Sequence, residues 1–243
     1  MAVLVLFFLP GFCLAPAEAK VLKINEAIYM APGLGPGAYP SGDWDRAKID
    51  REFRRCEGYR FTQTHQAPLW VGEFGAVFNG PPEQIPDRLR GLDDQIAVME
   101  DSGAHWTTWT YKDIGVMGIV TVNTESEYMR AIRPAFKAKL ELHAEGWGWL
   151  PPSPMDAALE AMNRLIVETV ADPGLTPDMN RWSLAKVALN TYVAGLLQTP
   201  FARCFKSMSE SQIDDVLSSF AFRKCRVNDG QVAVLRRHFS RPA

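Results

Sequence analysis

Apolar residues follow two different periods in the first part of the chain. Three short apolar runs have the length and composition of strands: Val21–Met30, Pro68–Val71 and Ala104–Tyr111. Two segments between them carry apolar residues at helical spacing: Arg46–Cys56 and Ile85–Ser102. Ile49 and Phe53 are expected on the inner face of the first helix, after an N-cap at Asp43 or Asp45. The alternation of strand and helix predicts βαβ units and a parallel sheet.

The pattern changes in the second part of the chain, where only helical periodicity remains. A helix over residues 126–142 still belongs to the α/β part. From Met155 onward only helices are predicted, over residues 155–171, 182–198, 209–220 and 228–239. Ser209 and Asn228 are placed as N-caps, and Pro200 is expected to end a helix. The segment Gly146–Pro152 marks a boundary. An α/β domain over residues 21–150 is therefore predicted, followed by an all-helical extension over residues 151–243.

The N-terminus has features of a secretion signal. Ala2–Leu14 is a nearly unbroken apolar run, and the small residues of Ala15–Ala19 suit signal cleavage, although no basic segment precedes them. The run is shorter than the roughly 20 apolar residues that span a membrane. We predict a separate segment at residues 1–20, either signal-like or non-homologous to the rest, and a secreted or extracellular protein. The alternative is a buried strand or the start of a helix.

Charge and cysteine content exclude several classes of function. The 26 basic and 28 acidic residues leave a net charge of −2, which gives no electrostatic footprint for nucleic acid. The four histidines are not at metal-ligand spacing, so we expect no metal. We also expect no organic cofactor. Cys204 and Cys225 flank a predicted helix, and both a disulfide and free buried thiols remain open for them.

A glutamate stands at the end of the second predicted strand. Glu73 lies between Gly72 and Gly75, glycines that leave room for a ligand or a neighbouring strand. Sites in α/β enzymes lie at the carboxyl ends of parallel strands. The next strand places Trp109 and Trp106 on opposite faces, and an aromatic ring there suits stacking against a sugar. A glutamate that caps a helix or pairs with an arginine, and a tryptophan in the core, are the ordinary alternatives.

The segments Pro68–Gly75 and Trp106–Asp113 resemble strands seven and eight of glycoside hydrolase family 5, the cellulase-like family. The resemblance covers roughly residues 28–150 and implies a (β/α)8 TIM barrel. It implies that Glu73 is the catalytic nucleophile and that Trp109 is the sugar platform, with Trp106 as a further substrate contact. Tyr29 stands where the family has a tyrosine that hydrogen-bonds the nucleophile.

The second catalytic carboxylate is expected to be missing. The family supplies it from an Asn-Glu-Pro motif on strand four, and a βαβ unit takes about 30 residues or more. The 72 residues before Glu73 are too few for six βα units, so we expect an incomplete barrel with about its last three units. Asn25-Glu26 resembles the acid motif, but Ala27 replaces the proline.

Three functional hypotheses follow from these features. The leading one is a retaining glycoside hydrolase that acts on O-glycosidic bonds of a β-linked glycan, an oligo- or polysaccharide, in a truncated form that lacks its acid. The second is a non-catalytic carbohydrate-binding or vestigial glycosidase-like protein. The third is an interaction module formed by the amphipathic helical extension.

Overall fold

The computed structural model describes residues 45–144 and 152–239. The predicted strand Val21–Met30, with Glu26 and Tyr29, lies outside the described residues, and so does the signal-like segment. Among the helices of the described ranges, none combines the length and the apolar character needed to cross a bilayer.

The described residues contain helices and a few strands, as the α/β prediction requires. In chain order the elements are α1 (Arg46–Arg55), α2 (Glu57–His65), β1 (Trp70–Phe74), a 3₁₀ turn (Pro82–Gln84), α3 (Ile85–Asp101), β2 (His105–Thr108), β3 (Lys112–Asp113), β4 (Val120–Thr121), α4 (Glu127–Glu141), α5 (Pro154–Val170), α6 (Pro177–Val187), a π-helical stretch (Ala188–Val193), α7 (Ala194–Arg203), α8 (Glu210–Leu217), two 3₁₀ turns (Ser218–Phe220 and Phe222–Lys224), β5 (Arg226–Val227) and α9 (Asp229–Phe239).

The chain divides into two compact units. The first contains residues 45–121 and 227–239, and the second contains the described residues between 122 and 226. The predicted boundary near residue 150 falls between the two described ranges. The division into domains at 21–150 and 151–243 therefore stays a prediction.

The core of the first unit is formed by α1, α3, α9 and the two strands β1 and β2. Asp45 caps α1 by accepting a 2.7 Å hydrogen bond from the Lys48 amide, and Ile49 and Phe53 are buried as predicted. α3 contributes Leu92 and Ile96, which are fully buried. The amphipathic periods of these helices thus identified their buried faces correctly.

β1, α3 and β2 form one βαβ unit. The strands are parallel, with Trp70 opposite His105 and Val71 opposite Trp106. The ends predicted for the strand Pro68–Val71 are wrong, because β1 begins at Trp70 and continues to Phe74, so that it includes Glu73. Its first residue, Trp70, is also exposed rather than buried. The strand predicted over Ala104–Tyr111 is shorter in the structure, since β2 ends at Thr108.

α9 is attached to α3 by a histidine held between two carboxylates. His238 is buried, with Nδ1 at 2.8 Å from Glu100 Oε2 and Nε2 at 2.9 Å from Asp93 Oδ1. Burial raises the pKa of Asp93, but hydrogen bonds from His238 and Arg237 outweigh that effect and leave the pKa below its usual value.

The second unit consists of helices α4 to α8. Ser209 caps α8 in a capping box with Gln212, as predicted for that serine. The expectation that Pro200 ends a helix is wrong, because helical structure runs on from α6 to Arg203 with Pro200 inside α7. Cys204 and Cys225 are free thiols in the structure, so they do not form the disulfide that the sequence left open.

Candidate active site

Glu73 lies at an irregularity of the strand pair. The amide of His105 donates to Leu69 O at 2.8 Å, and the amide of Trp109 donates to Phe74 O at 2.7 Å. Between these two hydrogen bonds the chain advances by five residues around β1, from 69 to 74, but by only four around β2, from 105 to 109. The extra residue makes a β-bulge in which Gly72 and Glu73 stand opposite Thr107.

The bulge decides on which side of the sheet Glu73 lies. Under strict alternation, Glu73 would share the core face with Val71, because side chains two apart point the same way. With the extra residue, Val71 and Phe74 are both buried, and Glu73 is only half-buried between them. Burying an unpaired ionised carboxylate in a protein core costs roughly several kcal/mol of folding free energy. The bulge keeps Glu73 out of the core.

Hydroxyl groups of β2 bind the carbonyls of the bulge. Thr107 Oγ1 donates to Gly72 O at 2.6 Å and accepts a 3.3 Å hydrogen bond from Trp70 Nε1. Thr108 Oγ1 donates to Phe74 O at 3.2 Å. The backbone on both sides of Glu73 is thus fixed by residues of the neighbouring strand.

The two flanking glycines have different roles. A Cβ atom on Gly75 would collide with the carbonyl oxygen of Trp109 and lie 3.0 Å from Cε of Met117. A Cβ atom on Gly72 would meet nothing within 4 Å. Only Gly75 is therefore required for a close approach of the following strand, and the space at Gly72 is open.

The two predicted tryptophan contacts have different surroundings. Trp109 is 47% exposed and follows β2 directly, with its amide bonded to Phe74 O. Trp106 is half-buried: its ring meets Phe74 edge-on at 5.5 Å and stacks on Phe239 at 5.8 Å between centroids. Trp109 can therefore offer a ring to a ligand, whereas the role of Trp106 in substrate binding stays a prediction.

The loop after Trp109 is organised by one carboxylate, which the sequence analysis did not single out. Asp113 Oδ1 accepts from the amides of Gly115 and Val116, at 2.7 and 3.1 Å. Its Oδ2 accepts from the amides of Met117 and Gly118, at 2.6 and 3.0 Å. The spacing of an aspartate with two following glycines is the signal that would have indicated this turn.

The Glu73 carboxylate has no bonded partner among the described residues: no hydrogen bond or ion pair to it is formed by residues 45–144 or 152–239. Arg88 is buried in the same unit and donates to Val77 O at 3.0 Å and to Gln84 Oε1 at 2.7 Å, and burial lowers its pKa. Within the described ranges, no group of three His, Cys, Asp or Glu side chains has the arrangement of a metal site.

The chain is similar to a β-xylosidase. Over an alignment of 235 residues it is 26% identical to the β-xylosidase of Phanerodontia chrysosporium, and the match covers 90% of this chain. The chain spans about half of that relative's length, 48%. No protein-family profile matches the chain, and no solved structure matches it.

This similarity supports the broad part of the prediction, a glycoside hydrolase with a carbohydrate substrate. The assignment to family 5 and the individual site residues stay predictions. Glu73 and Trp109 lie on neighbouring segments of one βαβ unit. Tyr29, the third residue predicted at this site, lies outside the described residues.

Proposed function

We propose that the chain is part of a retaining glycoside hydrolase and that Glu73 is its nucleophile. The observation that supports this proposal is the bulge at Glu73, where Glu73 is half-buried between two buried residues, together with the exposed side chain of Trp109 directly after the neighbouring strand. The similarity to a β-xylosidase adds independent support for a glycosidase.

The chemistry follows from an ionised carboxylate beside a sugar ring. A Glu73 oxygen attacks the anomeric carbon, and the bond from that carbon to the leaving oxygen breaks with its electron pair. A carboxylic acid about 5–5.5 Å away gives the leaving oxygen its proton. The same group then takes a proton from water, which displaces Glu73 and restores its carboxylate. Trp109 supplies the flat apolar surface beneath the ring.

The architecture proposed for this site is an incomplete (β/α)8 barrel of the family 5 type with a helical extension. Support comes from the parallel βαβ unit β1–α3–β2 and from the motifs around Glu73 and Trp109. Tyr29 is proposed to hydrogen-bond the nucleophile. The general acid is not assigned to a residue of this chain. We also propose a secreted or extracellular location, on the apolar run Ala2–Leu14.

The proposed substrate is a β-linked glycan, and a β-xyloside is the first compound to test because the relative is named a β-xylosidase. A second candidate function is carbohydrate binding without turnover. It is favoured by the exposed side chain of Trp109, which can bind a sugar without any catalytic group.

The experiment uses a 2,4-dinitrophenyl 2-deoxy-2-fluoro-β-xyloside. Its leaving group departs without a proton, so the nucleophile is tested without the general acid. We expect intact-mass and peptide mass spectrometry to find one fluoroxylosyl group on Glu73. Glu73→Gln should abolish the label, and the control Glu83→Gln, which changes an exposed glutamate in the 3₁₀ turn, should keep it.

The result that contradicts the nucleophile assignment is a correctly folded chain that stays unlabelled. In that case calorimetric titration with xylo-oligosaccharides tests the second candidate. Binding that is lost in Trp109→Ala and kept in Trp182→Ala, an equally large exposed ring in the second unit, would support a carbohydrate-binding protein. No binding and no labelling would exclude both functions for these sugars.

A further inference from the structure

We propose that Thr107 is a positioning residue for Glu73: its hydroxyl closes the bulge and thereby sets the direction of the Glu73 side chain. This inference rests on the proposed function, since it concerns the same carboxylate. It assigns a role to a residue that neither the sequence motifs nor the likeness to the β-xylosidase indicates.

The first step is the direction of the hydroxyl group. A threonine hydroxyl has one hydrogen to donate and lone pairs that accept. The indole Nε1 of Trp70 only donates, so it occupies a lone pair of Thr107, and the hydroxyl hydrogen is directed to Gly72 O. The result is a chain of hydrogen bonds from Trp70 through Thr107 to the bulge.

The second step is the effect on Glu73. Gly72 O belongs to the planar peptide unit that also contains the amide nitrogen and Cα of Glu73. Fixing that plane leaves φ and ψ of Glu73 as the soft torsions on that side. The next anchor is Phe74 O, which accepts from the Trp109 amide and from Thr108 Oγ1. Glu73 is therefore held between two anchored peptide units, and Thr107 supplies one of them.

The third step explains why a side chain is needed here. The amides of His105 and Trp109 donate to Leu69 O and Phe74 O. Because of the bulge, the stretch between these two carbonyls has one more residue than the stretch between the two amides. A bulge disturbs the ladder locally and leaves its extra residue unpaired. The Thr107 hydroxyl, 2.6 Å from Gly72 O, fills this position. A valine has the same shape without the donor.

The test compares Thr107→Val with Thr107→Ser, which keeps the hydroxyl. The measured quantity is the kinetics of labelling by the fluoroxyloside, separated into its binding constant and its rate constant. We expect Thr107→Val to lower the rate constant by about 10²-fold, the loss typical of a small misplacement of a reacting group. The binding constant should change little, and Thr107→Ser should recover most of the rate.

Two further variants control for general destabilisation. Trp70→Phe removes the donor to Thr107 at an exposed ring, and we expect a smaller loss of rate in the same direction. Thr64→Val removes a hydroxyl that is bonded only to Arg60 O within α2, and it should label like the wild type. If Thr107→Val does not fold, the comparison of Trp70→Phe with Thr64→Val decides.

A readout without catalysis keeps the two proposals separate. The ¹³C resonance of the Glu73 carboxyl, assigned by its loss in Glu73→Gln, is compared between the variants under one set of conditions. We expect its chemical shift to change in Thr107→Val and to return in Thr107→Ser, even if no variant is labelled. An unlabelled wild type contradicts the nucleophile. A Thr107→Val protein whose labelling and carboxyl chemical shift match the wild type overturns the positioning role.

Discussion

Replacing Gly75 by alanine adds a methyl group where the chain offers no space. The new Cβ would collide with the carbonyl oxygen of Trp109 and would lie 3.0 Å from Cε of Met117. The end of the Met117 side chain can move, but the carbonyl belongs to the backbone that follows β2. We therefore expect the two segments to separate locally.

The cost can be worked from the contacts involved. An extra methyl group in a packed site costs about 1–3 kcal/mol. Moving Trp109 also strains the 2.7 Å hydrogen bond from its amide to Phe74 O, which contributes about 1 kcal/mol. The expected loss for Gly75→Ala is about 2–4 kcal/mol. Gly72→Ala is the matched control, since nothing lies within 4 Å of its Cβ, and it should change the unfolding free energy by less than about 1 kcal/mol.

Urea unfolding followed by circular dichroism measures the difference between the two alanine variants. Hydrogen exchange measured by mass spectrometry shows its position, and we expect faster exchange in residues 105–118 with unchanged exchange in α5. The reasoning is refuted if Gly75→Ala is as stable as Gly72→Ala, or if the faster exchange appears outside the first unit.

Two other predictions concern carboxylates of the first unit. In the wild type, each Asp113 oxygen accepts from two backbone amides; in Asp113→Asn, an NH₂ group replaces one of these oxygens and faces two amides that also donate. We expect the free energy of unfolding in urea to fall by about 1–3 kcal/mol. A variant as stable as the wild type would contradict the role of that turn. Asp93 has a lowered pKa in the folded chain. Its ionised form therefore stabilises the fold above the pKa of about 3.9 that it has in the unfolded chain, and this contribution is lost as the pH falls through its pKa in the folded chain. His238→Phe removes one donor that lowers this pKa, and we expect the acid-induced fall in the urea midpoint to become less steep. An unchanged pH profile would contradict the contact.

Local sequence patterns predicted most helices closely, but α2 was not predicted, and the helix predicted over residues 182–198 is part of a longer helical run from Pro177 to Arg203. α1, α3 and α4 lie within about one residue of their predicted ends, because apolar spacing and capping residues act within a single element. The strands were predicted less well. β1 extends three residues beyond Val71, where the predicted strand ends, and β2 ends three residues before Tyr111. A strand ends where its pairing ends, and the pairing depends on a segment more than 30 residues away.

By itself the sequence determined the parallel order of β1, α3 and β2 and the presence of a glutamate and a tryptophan near the ends of neighbouring strands. It could not determine on which face Glu73 lies, since strict alternation would have directed the side chain into the core. The register of two strands decided that face by adding one residue to β1. The Thr107 hydroxyl donates to the carbonyl of Gly72 in the bulge, and Gly75 leaves room for the carbonyl of Trp109; both contacts exist only in the folded chain.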